Sequence, residues 1–153
     1  MSRWVVTRTI AAPIDVVFAT VADINQFARA IPHIVKVEYL GDARSGVGTR
    51  FRETRLMRGK EATTELEVTE WVRNDHVRLV ADTHGTVWDS VFAVREEQGA
   101  TVLTLTMNAI AHGLIPKLMV NFIIRGMLQK ALEGDMDAVK AFCERECNAR
   151  RHA

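Results

Sequence analysis

Glu53 and Arg55 stand two residues apart in RFRETRLM, so a strand there presents both side chains on one face. A carboxylate and a guanidinium so placed can orient the polar group of a ligand, and Glu53 with His112 can exchange protons with it. The plainer alternative is that the two pair with each other at a wet rim, or that Glu53 meets Lys117, since charged residues are seldom fully buried. Thr64, Thr83 and Ser90 share strand parity with them and offer hydroxyls, although threonine also simply fills β-surface well. Phe51, Trp88 and Phe92 supply rings that stack on a ligand or form ordinary core. Farther on, Lys117, Asn121 and Arg125 recur at four-residue steps, one line along a helix, and Arg125 suits a carboxylate or phosphate.

Other chemistries fare worse. Ser90 and the two cysteines lack a neighbouring histidine, because His76 and His84 have outward parity. Cys143 and Cys147 lie one helical turn apart with no ligand set to complete a metal site, so Cys143 reads as core and Cys147 as a fraying end. Gly46-Val47-Gly48 precedes a strand rather than a helix and lacks a third glycine, so it is not a dinucleotide fingerprint. No cofactor is expected.

The elements that must position these groups follow from pattern. The 153 residues, 48% hydrophobic and 25% charged with net charge +1, fit a single domain over residues 1–148, with 149–153 a disordered basic tail. Near-neutral charge argues against nucleic-acid binding, which needs a basic face. The opening stretch lacks the apolar core of a signal peptide and no segment is long enough to span a bilayer, so a cytoplasmic location is expected.

Trp4 to Ile10 alternates as a first strand. Ala11-Ala12-Pro13 turns into a short helix through Val16 to Val21, and Asp23 or Asn25 caps a second, INQFARAI, before a strand from His33 to Leu40. A hairpin about Arg58-Gly59 then sets Arg52 opposite Glu65 and Arg50 opposite Glu67, with Thr49, Phe51, Glu53 and Arg55 on the inner face. Three more strands follow: HVRLVADT, VWDSVFAV and TVLTLTMNAI. The same register builds inner rows of Phe51, Leu66, Thr83, Trp88 and Met107; of Thr49, Val68, Ala81, Ser90 and Leu105; and of Leu79, Phe92 and Leu103. It also stacks Glu67, Asp82 and Asp89 on the outer face, a clash relieved either by a bulge, the favoured case, or by a cation or basic partner there.

His112 to Cys147 reads as one helix of roughly 50 Å, long enough to need a sheet to lie across. Its second half has a clear stripe, Leu128, Leu132, Met136, Val139 and Cys143. Its first half is apolar over most of its circumference and out of phase. A straight helix turns Lys117, Asn121 and Arg125 into the interior; a bend near Gly126, the favoured case, leaves them on a solvated flank. Strand direction gathers the Arg58-Gly59 turn, the His84-Gly85-Thr86 turn and the His112 approach at one end, the expected mouth of a cavity between sheet and helix. Leu118, Met119 and Phe122 would line it beside Phe51, Glu53, Arg55, Leu66, Thr83, Trp88, Ser90, Phe92, Leu105, Met107 and Arg125. The surface from Leu114 to Ile124 would need a homodimer partner or a membrane to cover it, and Arg58, Lys60 and Lys117 suit anionic headgroups.

Four stretches carry a family resemblance: RTIAAPxxVVFxxVAD (Arg8 to Asp23), GVGTRFRET (Gly46 to Thr54), VTEW (Val68 to Trp71) and GATVLTLT (Gly99 to Thr106). The chain resembles the polyketide cyclase/dehydrase branch of the START-like (SRPBCC) superfamily over nearly its whole length. The resemblance implies an α+β helix-grip fold, a curved seven-stranded antiparallel sheet around the long C-terminal helix with an apolar cavity between. It implies binding or transport of a lipid, quinone or polyketide-like molecule, or a cyclase, dehydratase or aromatase acting in the same cavity. It brings no catalytic set onto these positions.

Overall fold

The structure is a computed structural model that describes residues 1–119 and 124–152. The chain forms β1 (Ser2–Ile10), α1 (Ile14–Ala22), α2 (Ile24–Ala30), β2 (Ile34–Tyr39), β3 (Arg50–Met57), β4 (Lys60–Val72), β5 (His76–Thr83), β6 (Thr86–Glu97), β7 (Ala100–Ala111), α3 (Leu114–Leu118) and α4 (Arg125–Arg151). The sheet order β1-β7-β6-β5-β4-β3-β2 joins the first strand to the last. Every ladder is antiparallel. One face is wet and the other dry, so the dry face must be covered, and α4 with α1 and α2 covers it. Met136, Val139 and Cys143 of α4 are fully buried against it, as are Ile10, Leu103 and Val77.

Local chemistry explains the short elements. Pro13 stands at the N-cap of α1, where its missing N–H costs nothing. The Asp23 side chain accepts from the Asn25 backbone N–H at 2.9 Å and opens α2. Three hairpins turn through two residues with positive φ, Arg58-Gly59, His84-Gly85 and Gln98-Gly99, the pattern of type I′ turns.

The ladders correct the expected register beyond β4. The β3–β4 pairs stand as expected, Arg52 with Glu65 and Arg50 with Glu67. Past β4, each ladder is displaced by two residues: Val68 faces Leu79, Leu79 faces Ser90 and Ser90 faces Met107. Thr86 joins β6 as the partner of Thr83 instead of sitting in the turn. A shift of two preserves parity, so the inner residues stay inside. The expected acidic row is gone. A bulge between Val68 and Glu70 sets Glu67 opposite Val80, and Asp82 faces Val87. Asp89 instead takes two hydrogen bonds from Arg78, at 2.6 and 2.9 Å.

The C-terminal segment is helical on both sides of the residues left undescribed. Helical turns are described over Leu114–Leu118 and again over Arg125–Arg151, and residues 120–123, Asn121 and Phe122 among them, lie outside the described residues. At the other end α4 runs on to Arg151, so residues 149–151 continue the helix and are not a disordered tail. Cys143 and Cys147 are free and buried, so Cys147 packs into the core rather than fraying. No helix among the described residues is long and apolar enough to cross a membrane.

Candidate functional site

A cavity of about 400 Å³ lies between the inner face of the sheet and α4. Its sheet wall includes Phe51, Leu66, Val68, Leu79, Phe92 and Leu105; its helix wall is Ile124, Met127, Leu128, Ala131 and Leu132. Val21, Ile24 and Phe27 close in from α1 and α2, and the Phe27 ring meets the Phe92 ring edge-on at 5.7 Å. Met57 and Met127 line the cavity yet are 44% and 57% exposed, so it reaches solvent between the β3–β4 hairpin and the start of α4.

One polar knot interrupts this apolar lining. Arg55 Nε donates to Glu53 Oε1 at 2.5 Å, and Arg55 Nη1 donates to Asp135 Oδ2 and Oδ1 at 2.9 and 3.1 Å. The three side chains are 22%, 11% and 15% exposed in the order Arg55, Glu53, Asp135. Alternation in β3 sets Glu53 and Arg55 on the inner face, and Asp135 comes from across the cavity on α4. Burial pushes the Asp135 carboxyl above its ordinary range, against the opposing pull of Arg55 and, more weakly, His33. Burial also works to lower the Arg55 guanidinium, but the charges and hydrogen bonds of Glu53 and Asp135 prevail and hold it above its ordinary value. The arrangement can hold a polar group, and its carboxylates can exchange a proton with it.

Of the residues singled out from the sequence as ligand contacts, Phe51, Glu53, Arg55, Thr64, Leu66, Thr83, Trp88, Ser90, Phe92, Leu105 and Met107 line the cavity. Four do not. His112 follows the last residue of β7 with outward parity; its backbone N–H donates to the Gly85 carbonyl at 2.7 Å, and it does not join Glu53 in the lining. Leu118 and Met119 are 46% and 44% exposed and are not part of the lining. Arg125 turns toward the first strand. Its guanidinium sits 5.4 Å from the centre of the Trp4 ring and bonds the Arg3 carbonyl, while Trp4 Nε1 donates to the Arg125 carbonyl. With Arg125 on that flank, Ile124, Met127 and Leu128 face the cavity. Phe122 is outside the described residues.

Asp135 is the residue that pattern reading passed over. It stands seven residues after Leu128 and three after Leu132, so a carboxylate inside the apolar stripe was the available signal. Arg44 and Ser45 in the β2–β3 loop also border the cavity, with no pattern to reveal them.

The family described as polyketide cyclase / dehydrase and lipid transport matches residues 1–144. The chain belongs to this family. Among solved structures, this polyketide cyclase/dehydrase-family chain is similar to TTHA0849 from Thermus thermophilus, at 18% identity and a TM-score of 0.75, covering 93% of this chain and 97% of that one. A START superfamily protein from Mycobacterium smegmatis matches at 17% identity and a TM-score of 0.74, over 94% and 97% of the two chains. The di-domain ARO/CYC StfQ of the steffimycin biosynthetic pathway matches at 14% identity and 0.76, over 95% of this chain and 51% of that one. At such identities the likeness is one of fold. No curated protein sequence matches the chain. Family and fold together support a hydrophobic-ligand or polyketide-cyclase role, without choosing between them.

Proposed function

We propose that this protein binds and carries an apolar small molecule, lipid-, quinone- or polyketide-like, in the cavity between β-sheet and α4. The observation that carries the reading is the lining: apolar side chains from sheet and helix around about 400 Å³, with one polar knot at Arg55. That volume lies within the roughly 300–1,000 Å³ of small-molecule sites, and a few placed polar groups in an apolar pocket fix orientation. Native mass spectrometry of protein purified from its own host tests it, together with titration of Nile red and its displacement by sterols, quinones and fatty alcohols. A co-purifying apolar molecule or saturable dye uptake is expected. Absence of both overturns the reading.

Asp135 favours a second reading, a cyclase or dehydratase. The Asp135 and Glu53 carboxylates, held by Arg55 at the wall of a pocket, are placed to take a proton from a ketone chain held nearby. In a reconstituted pathway with a poly-β-ketone substrate, Asp135→Asn and Arg55→Ala are expected to change the product profile. An unchanged profile removes the enzymatic reading and leaves the carrier.

The carrier reading extends to how cargo arrives. Leu114 and Ile115 are 71% and 73% exposed at the end of the sheet that also holds the Arg58-Gly59 turn, so α3 is read as a membrane-touching edge beside the mouth.

A further inference from the structure

We propose that the cavity selects apolar ligands bearing a hydroxyl, such as a phenol or a long-chain alcohol, over the carboxylate of the same body. The inference rests on the carrier reading and names the ligand class for that site. Its ground is the charge carried by the polar knot. One guanidinium, Arg55, is shared between two carboxylates, Glu53 and Asp135, so the local sum is one negative charge. A ligand carboxylate placed there would be a third anion around one cation, in a lining that is otherwise apolar. A hydroxyl meets no such repulsion. An ionised carboxylate accepts about four hydrogen bonds. Glu53 receives one from Arg55 and Asp135 two, so both have lone pairs left for a donor.

The other cations near the cavity do not reverse this. Arg125 lies over Trp4 on the flank of β1. Arg44 borders the far end, exposed, with its guanidinium 4.6 Å from the Tyr39 ring centre and bonded to the Gly41 and Ala43 carbonyls. Tyr39 pairs with Phe51, four residues or roughly 13 Å of strand from Arg55. His33 is exposed and precedes β2.

The full chain is titrated calorimetrically at pH 7.5 with 2-naphthol and 2-naphthoate, which share a body and differ in the polar group, and with Nile red as an uncharged reference. Naphthol is expected to bind at least tenfold tighter than naphthoate. Asp135→Asn neutralises the knot and should narrow that ratio to about threefold or less, because both probes then meet a balanced pair. Glu53→Gln makes the same charge change from the strand and is the companion variant should Asp135→Asn fold poorly. Arg95→Ala, at the exposed end of β6 and outside the cavity lining, should leave the ratio unchanged. Naphthoate binding as tightly as naphthol, an undiminished ratio in the folded variants, or Nile red uptake without naphthol binding overturns the inference and leaves the carrier reading intact. If neither naphthalene nor Nile red binds, the carrier reading itself fails and this inference with it.

Discussion

Arg55 and Asp135 are 80 residues apart in sequence, yet the guanidinium Nη1 of one lies 2.9 and 3.1 Å from the two carboxylate oxygens of the other. This contact ties β3 to α4 across the cavity. Arg55→Met would leave Glu53 and Asp135 buried without their cation, and breaking such a group costs about 3–5 kcal/mol. Asp135→Asn leaves Arg55 paired with Glu53 and should cost less, about 1–2 kcal/mol. Urea unfolding of the two variants is expected to rank them in that order.

Asp135 also sets a pH dependence of known sign. Its folded-state carboxyl is raised above the ordinary 3.8, chiefly by burial, so the folded chain holds the proton longer than the unfolded one. The contribution of this group to stability is full below 3.8 and is lost as pH rises through its folded value. Asp135→Asn should therefore flatten the decline on the rising side. Asp89 has the opposite sign: the hydrogen bonds from Arg78 hold its carboxyl below the ordinary range, so its contribution is present above that range and disappears on acidification. Thermal melts of Asp135→Asn and Asp89→Asn across acidic pH should diverge in direction.

The type I′ turns make a graded prediction. Gly99 has φ +81° and open space where a methyl group would go, so Gly99→Ala pays only the left-handed backbone, about 1–2 kcal/mol. Gly85 has φ +78° and a Cβ there would meet Pro116 Cγ at 3.2 Å, so Gly85→Ala should cost more and displace α3. Denaturation midpoints rank the pair, and proteolysis near Leu114 reports the displacement.

Filling the cavity should separate binding from folding. Ala131 lines it from α4, and Ala131→Phe occupies space a ligand would use. Nile red uptake is expected to fall at least tenfold while the melting temperature stays within a few degrees. By contrast Met136 is fully buried in the packed part of the helix, and Met136→Ala should cost about 2–5 kcal/mol.

The exposed edge is tested by flotation with anionic vesicles. Ile115 is 73% exposed, so Ile115→Glu leaves the fold unchanged and should abolish co-flotation of the wild-type chain. Equal flotation of both, or none by either, removes α3 as a docking edge.

Strand parity, the inner and outer faces, the β3–β4 register and the core stripe of α4 were legible in residue order, because each depends on neighbours two to four positions apart. Glu53 and Arg55 were legible for the same reason. The two-residue displacement of the later ladders was not, since it depends on which residues make the turns at His84-Gly85 and Gln98-Gly99 and, between β4 and β5, on a three-residue turn and a bulge acting together. Nor was the bulge at Thr69 placed, although the clash of Glu67 with Asp82 and Asp89 called for one. Only the tertiary structure brought Asp135 against Arg55 and turned Arg125 away to Trp4. Both are outcomes of how α4 is rotated against the sheet, and that rotation is set by packing between segments distant in sequence.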